Sequence, residues 1–270
     1  MAPQDLDCKV VTPQEGAGHT HTVIFLHGRG SSAARFAYDL MALTTDSQGR
    51  SFKDHLPSVR WVIPQSDLRP VARFPKAMVS QWFDTWNIAD LSQREELQTQ
   101  GLRESVASIR VIIEREAGLL GGRWDRVVLA GVSQGGATAA HALFNLAVPE
   151  NEGGAPRRLG GMMTFCSRMP FPRRSLGETR KVLDLEDVPI DDEVIRNTPV
   201  LWQHCVDDPL VSIEYGRELK DALLRFGAQL QWKEYPEGGH WIQQPNGIED
   251  AVAWFNDKVL KAADTGSRSA

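Results

Sequence analysis

The stretch Gly131-Val132-Ser133-Gln134-Gly135-Gly136 sets a serine between glycines. Before it runs Arg126-Val127-Val128-Leu129-Ala130, a short apolar segment that reads as a buried strand. After it, the small residues from Ala137 to Phe144 read as a helix. A Gly-x-Ser-x-Gly turn between strand and helix is the setting of a nucleophile elbow, where a strained backbone exposes the serine hydroxyl. Side chains at positions 131 and 135 would strike the neighbouring strand and helix, so glycine is expected at both. The chemistry predicted is nucleophilic attack by Ser133. Gln134 opens the helix, with its backbone N–H towards the site of reaction.

A serine hydroxyl attacks well only beside a base, and the negative charge that forms on the carbonyl oxygen needs donors. His27-Gly28-Arg29-Gly30-Ser31-Ser32 follows the apolar run Thr22 to Leu26 and precedes a helical segment from Ala33 to Leu43. In an α/β-hydrolase a His-Gly loop in this place supplies one of two backbone donors. The expected pair is therefore the N–H groups of Arg29 and Gln134. The same loop fits Gly-x-Gly-x-x-Ala, a dinucleotide fingerprint, but that reading wants an acid after the next strand. That strand, Val59 to Ile63, ends in Pro64-Gln65-Ser66.

The acid of a triad should end a later strand. Pro199 to His204 reads as that strand, and Asp207 and Asp208 both follow it. Leu230 to Tyr235 reads as the next strand, after a helix from about Ser212 to Phe226. His240, in the loop Pro236 to Trp241, is placed as the base. Asp84 precedes the serine, against the order Ser, acid, His, and reads as structural. His55, His141 and His204 have no catalytic context, and His27 reads as a loop brace. His19 and His21 would share a strand face, but no third ligand is in sight, so both read as strand-edge surface residues.

Further elements must hold these groups. Cys8 to Val11 reads as an opening strand, Glu95 to Ala117 as a long amphipathic helix, Gly160 to Phe165 as a strand and Gly247 to Leu260 as a closing helix. Asp67 to Ser80 reads as a loop, either a flap over an apolar channel carrying Phe74 and Met78 or an ordinary surface loop. Cys166 to Thr198 reads as a salt-bridged surface insertion, in which a basic run, Arg173 to Lys181, meets an acidic one, Asp184 to Glu193. Met169 to Pro172 would begin it at a pocket entrance.

The chain is thus α/β, with a mostly parallel central sheet covered on both faces. One domain is expected over residues 1–263, with a frayed tail over 264–270. With 270 residues, 41% of them hydrophobic, the chain is long enough for a large core. A net charge of −5 without a basic run excludes nucleic acid as an expected partner. Met1 to Asp7 lacks the pattern of a secretory signal, and no apolar run reaches transmembrane length. Cys8, Cys166 and Cys205 form no disulfide framework or metal spacing, so a cytoplasmic setting is expected.

Taken together, Phe25 to Gly30, Trp82-Phe83-Asp84, Gly131 to Gly136, His204-Cys205-Val206-Asp207-Asp208-Pro209-Leu210-Val211 and Gly239-His240 run in order along nearly the whole chain. In these segments the chain resembles the phospholipase/carboxylesterase family of serine hydrolases, which includes the acyl-protein thioesterases. The resemblance implies an α/β-hydrolase fold and a Ser133-Asp208-His240 triad. It selects Asp208 over Asp207, because in the family the acid stands directly before that proline. It also implies oxyanion donors from Arg29 and Gln134, and ester or thioester substrates that include lipidated proteins. No metal or organic cofactor is implied. A small-molecule carboxylesterase and a non-catalytic ligand-binding protein of the same fold are the alternatives. Substrate contacts are expected from Phe74, Met78, Trp82, Met169, Leu210 and Trp241. Departures from the family pattern are Arg29, where an apolar residue is usual beside the acyl channel, the bulky Trp241, and the long 166–198 segment.

Overall fold

Seven strands form the central sheet, and their sequences explain why it is covered on both faces. The computed structural model describes residues 4–88, 90–150 and 154–261. Residues 1–3 and the expected tail over 264–270 lie outside these. The strands are β1 (Cys8–Val11), β2 (His21–Leu26), β3 (Val59–Pro64), β4 (Leu68–Val71), β5 (Phe74–Ser80), β6 (Val127–Val132), β7 (Gly161–Phe165), β8 (Pro199–Cys205) and β9 (Gln229–Tyr235). The main sheet runs β1-β3-β2-β6-β7-β8-β9. Only its β1–β3 pair is antiparallel; the other pairs are parallel. Strands β2, β6, β7 and β8 are buried along their whole length, as parallel strands sandwiched between helices must be.

The helices are α1 (Ala33–Tyr38), α2 (Phe52–His55), α3 (Gln98–Leu119), α4 (Gln134–Phe144), α5 (Leu176–Leu183), α6 (Glu193–Asn197), α7 (Ile213–Arg225) and α8 (Asn246–Phe255). Alternate residues of a strand point to opposite faces. Ile24, Leu26 and Leu129 accordingly join one core with Leu102, Ile109 and Ile112 of α3, Leu143 of α4 and Leu223 of α7. Val23, Phe25, Val128 and Ala130 join the other with Phe36 of α1, Phe52 of α2 and Ile248 and Phe255 of α8. Every residue of α4 is buried, which its small side chains permit.

Several expectations need correction. The 67–80 stretch is a two-stranded hairpin, β4 with β5, rather than a loop. Phe74 and Met78 flank an irregularity in the hairpin register and are 60% and 55% exposed, so neither belongs to a closed flap. The helix expected from Glu95 starts with a 3₁₀ turn, Glu95–Leu97, before α3. The one expected over 33–43 passes from α1 into a π-helical turn, Asp39–Leu43. His21 is 4% exposed instead of lying on the surface. The 166–198 segment is not a surface insertion throughout. Leu183 of α5 and Val194 and Ile195 of α6 are buried in the core beside α3. Its acids Asp191 and Glu193 pair with Arg157, ahead of β7, rather than with the basic run.

Candidate active site

Ser133 stands between β6 and α4 with φ 56° and ψ −124°, a region that costs a non-glycine residue about 1–3 kcal/mol. Steric necessity explains its neighbours. A Cβ on Gly131 would lie 2.4 Å from the carbonyl carbon of Gly135, and a Cβ on Gly135 would lie 2.3 Å from Leu26 O at the end of β2. Two bonds hold the strained turn: Ser133 N–H donates to Phe165 O at 2.9 Å, and Ser167 Oγ donates to Ser133 O at 2.6 Å.

Asp208 and His240 arrive from the ends of β8 and β9. His240 Nδ1 donates to Asp208 Oδ2 at 2.7 Å. The other carboxylate oxygen, Oδ1, accepts the N–H groups of Leu210 and Val211, both at 2.9 Å. His204 Nε2 donates to Val211 O at 2.9 Å and passes Asp208 Oδ2 at 3.4 Å. Burial pushes the Asp208 carboxyl up, but hydrogen bonds from His204, His240 and the Val211 N–H outweigh it and hold the group well below the usual carboxylate range. An ionised Asp208 is an acceptor, so it assigns the proton of His240 to Nδ1 and leaves Nε2 with a free lone pair. Asp207 serves the same loop differently. Its two oxygens accept Gly238 N–H at 3.2 Å and Gly239 N–H at 2.9 Å, fixing the chain just before His240.

The loop after β2 is braced by His27. Its Nδ1–H donates to Gly28 O at 2.8 Å, and its Nε2 accepts Ser66 N–H at 3.2 Å. Both ring nitrogens are occupied and burial lowers its pKa, so His27 stays neutral. Gly30 N–H donates to Ser80 O at 2.8 Å, which seats the loop on the hairpin. Trp82, expected to touch substrate, is fully buried and does something else. Its Nε1 donates to His27 O at 2.8 Å, while its backbone N–H donates to Gln134 Oε1 at 2.8 Å. Gln134 Nε2 in turn donates to Phe83 O at 2.7 Å. One segment therefore ties the Arg29 loop to the serine turn. Sequence reasoning missed this; the amide side chain directly after the serine was its only signal. Gln134 is the first residue of α4, so its backbone N–H has no acceptor within the helix. Asp84 accepts Ala72 N–H at 2.8 Å, a structural tie to the hairpin turn.

A cavity of about 320 Å³ opens over Ser133 and is also lined by Gln134, Arg29 and His240. Leu210 and Trp241 line it as expected. Met169 does not: it is 3% exposed and packs in the core, while the preceding residue, Arg168, faces the cavity. Arg29 Nε donates to Gln81 Oε1 at 2.7 Å, so this guanidinium is drawn to the segment beside the hairpin. A larger groove of about 1030 Å³ runs along α3, lined by residues such as Arg103, Arg110 and Trp124. Its size carries no weight here, because Ser133, Asp208 and His240 are absent from its walls.

Behind Asp208 and His240 lie two buried thiols. Cys166 Sγ donates to Trp241 O at 3.1 Å, and its contact with the Cys205 thiol, with burial, pushes its pKa up. One candidate ligand atom each from Cys166, Asp208 and His240 falls within 4.8 Å of the others. These are poor metal donors, since Cys166 is held as a neutral thiol and His240 Nδ1 is taken by Asp208. His141, within α4, is a buried structural histidine: its Nε2 meets Pro170 O at 3.2 Å, and burial pulls its pKa down to about 4.

Comparison with known proteins covers the same span. The family of the description Phospholipase/Carboxylesterase matches residues 6–254. Acyl-protein thioesterase 1 of Cryptococcus neoformans is 27% identical over 270 residues, covering 95% of this chain and 99% of that protein. Carboxylesterase SOBER1 of Arabidopsis thaliana is 25% identical over 244 residues, covering 90% and 92%. The crystal structure of acyl-protein thioesterase 2 of Zea mays superposes with a TM-score of 0.69 at 21% identity, over 94% of this chain and 99% of that one. The fold is thus that of the α/β-hydrolases. By the extent of that match, the chain belongs to the phospholipase/carboxylesterase family.

Proposed function

We propose that the chain is a serine hydrolase that cleaves carboxylic esters or thioesters through an acyl-enzyme. The observation that carries this reading is the 2.7 Å bond from His240 Nδ1 to Asp208 Oδ2, at a cavity that also holds Ser133 in its strained turn. His240 Nε2 takes the Ser133 proton as Oγ attacks the carbonyl carbon. The N–H groups of Arg29 and Gln134 receive the oxyanion, each contributing about 3 kcal/mol to the transition state. The tetrahedral intermediate collapses, and His240 returns the proton to the leaving alcohol or thiol. Water, deprotonated by the same imidazole, then releases the acid. No step calls for a metal or organic cofactor.

Two substrate readings have support. The names of the relatives, acyl-protein thioesterase and carboxylesterase, favour esters and thioesters, lipidated proteins among them. The cavity of about 320 Å³, small for a ligand pocket, favours short acyl groups and a small-molecule carboxylesterase. Free thiols buried side by side at Cys166 and Cys205 suit a reducing cytoplasm, where we place the protein. No helix of the described residues is long and apolar enough to cross a membrane.

The test is turnover of 4-nitrophenyl esters from C2 to C16, alongside a palmitoylated peptide. Ser133→Ala should abolish hydrolysis of all of them. Full activity in that variant would remove Ser133 as the nucleophile. Tight binding of acyl ligands by wild type without turnover would leave the non-catalytic alternative.

A further inference from the structure

The active-site cavity contains a buried positive charge that the hydrolytic mechanism does not use. Arg168 follows Ser167, whose Oγ holds the carbonyl of Ser133, so its backbone is fixed close to the nucleophile. The residue is 6% exposed and lines the cavity. Among the described residues its guanidinium makes one hydrogen bond, from Nη2 to Gln98 Oε1 at 2.9 Å, and that acceptor is a neutral amide. The carbon of the guanidinium lies 5.4 Å from the centroid of the Phe83 ring. Among the described residues no carboxylate stands within 4.0 Å of it. Glu95 acts on it from farther away, and Glu95 Oε1 is already engaged by Phe171 N–H at 3.3 Å.

A buried cation without a paired anion is unfavourable. Burial accordingly draws the Arg168 pKa down to about 10. The rest of the lining adds to the imbalance. Arg29 brings a second guanidinium, and the one acid among the described lining residues, Asp39, is paired with Arg35 at 2.8 Å. A guanidinium offers five N–H donors in a planar fork that matches a carboxylate in two-point contact. Among the described residues most of that fork has no acceptor.

We propose that Arg168 is a specificity residue that receives a carboxylate borne by the substrate. The preferred substrates are then short esters or thioesters with a negative charge of their own, such as half-esters of dicarboxylic acids. This rests on the hydrolase reading above. It goes beyond that reading by assigning a charge preference to the cavity and a residue that sets it.

The test compares charged and neutral substrates in pairs. Mono(4-nitrophenyl) glutarate against 4-nitrophenyl 5-methylhexanoate places the carboxylate on the acyl side. 4-Carboxyphenyl butyrate against 4-acetylphenyl butyrate places it on the leaving-group side. Within each pair the readout is the ratio of kcat/KM values, so a general loss of activity or of folded protein cancels. In Arg168→Gln the charged-to-neutral ratio should fall roughly 10- to 100-fold in one pair, identifying the side, with partial recovery in Arg168→Lys. A change below threefold in both pairs would overturn the proposal. Binding of glutarate to the Ser133→Ala protein, followed by calorimetry, gives a second readout that needs no turnover. It should weaken at least tenfold when Arg168→Gln is added; equal binding in both proteins, or none in either, counts against Arg168. Failure of the hydrolase reading looks different: wild type and Ser133→Ala would then process the neutral esters alike.

Discussion

Replacing Asp208 by asparagine changes one oxygen to an NH₂ group, and the structure decides which one. Oδ1 accepts two backbone N–H groups, from Leu210 and Val211, whereas Oδ2 faces His240 Nδ1. Turning the NH₂ towards the two backbone donors would leave both unpaired, at about 1–3 kcal/mol each. Turning it towards His240 gives up the contact with His240 Nδ1 and the longer one with His204 Nε2, whose proton keeps Val211 O, and even offers a new bond, because a neutral imidazole can accept at Nδ1. The second orientation is thus favoured by at least about 1 kcal/mol, and by several if both donors are fully desolvated. In it His240 carries its proton on Nε2 and cannot accept one from Ser133. Loss of the carboxylate also removes the charge that stabilises the imidazolium. Together these should lower kcat on 4-nitrophenyl butyrate by about 10⁴-fold, as expected when a triad acid becomes an amide. Asp207→Asn supplies the contrast. It loses one of the two bonds to the Gly238 and Gly239 N–H groups, which loosens the His240 loop without changing the tautomer. A loss of about tenfold is expected there, equivalent to roughly 1.4 kcal/mol. Activity of Asp208→Asn within tenfold of wild type, or a larger loss in Asp207→Asn, would refute the assignment of the acid.

Gly135→Ala should destabilise the protein by more than about 3 kcal/mol, since its Cβ would meet the backbone at Leu26 O, which cannot swing aside. Urea denaturation measures this, and a stable Gly135→Ala protein would contradict the packing of the elbow. Gln134→Ala keeps the backbone donor but unties Trp82 N–H and Phe83 O, so it should cost about 2–4 kcal/mol of stability and at least tenfold in kcat. Unchanged kcat would show that the tie is dispensable. The pH dependence of stability follows from the depressed pKa of Asp208. A carboxylate whose folded pKa lies below its unfolded value of about 3.9 stabilises the fold above that pH and loses this contribution as pH falls towards the folded pKa. The gap in Tm between wild type and Asp208→Asn should therefore be widest above about pH 4 and shrink below it. A gap independent of pH between 2 and 7, by calorimetry, would rule out that ionisation as its source.

What the sequence made legible is what short-range sterics and periodicity control. The glycines around Ser133 are dictated within five residues of chain, and the buried strands announce themselves as apolar runs. Choosing between Asp207 and Asp208 is different in kind. Both leave the end of β8, and only the turn at Leu210 and Val211 decides which carboxylate tucks beneath it and which reaches Gly238 and Gly239. Phe74 and Met78 flank an irregularity in the register of β5 against β4, so alternation along the sequence says neither which face each takes nor whether it meets the cavity or solvent. The same ambiguity at Arg168 and Met169 is resolved by the cavity wall, since both residues are buried. Met169 packs in the core, whereas Arg168 lines the cavity, the reverse of the expected pocket entrance.

The segment from Gln81 to Asp84 shows that a list of candidate reacting residues leaves out what holds them in place. Trp82 contributes no reacting atom, yet its indole holds His27 O and its backbone holds the Gln134 side chain. Ser105 Oγ of α3 donates to Trp82 O at 2.7 Å, so the long helix fixes this segment from behind. The two proposed oxyanion donors sit on different strand–helix junctions, after β2 and after β6. Those junctions need a common support to keep the donors in register, because a donor displaced by about 1 Å loses most of its value. The buried Trp82-Phe83 pair is that support. Its burial, which rules Trp82 out as a substrate contact, is what makes it rigid enough to serve.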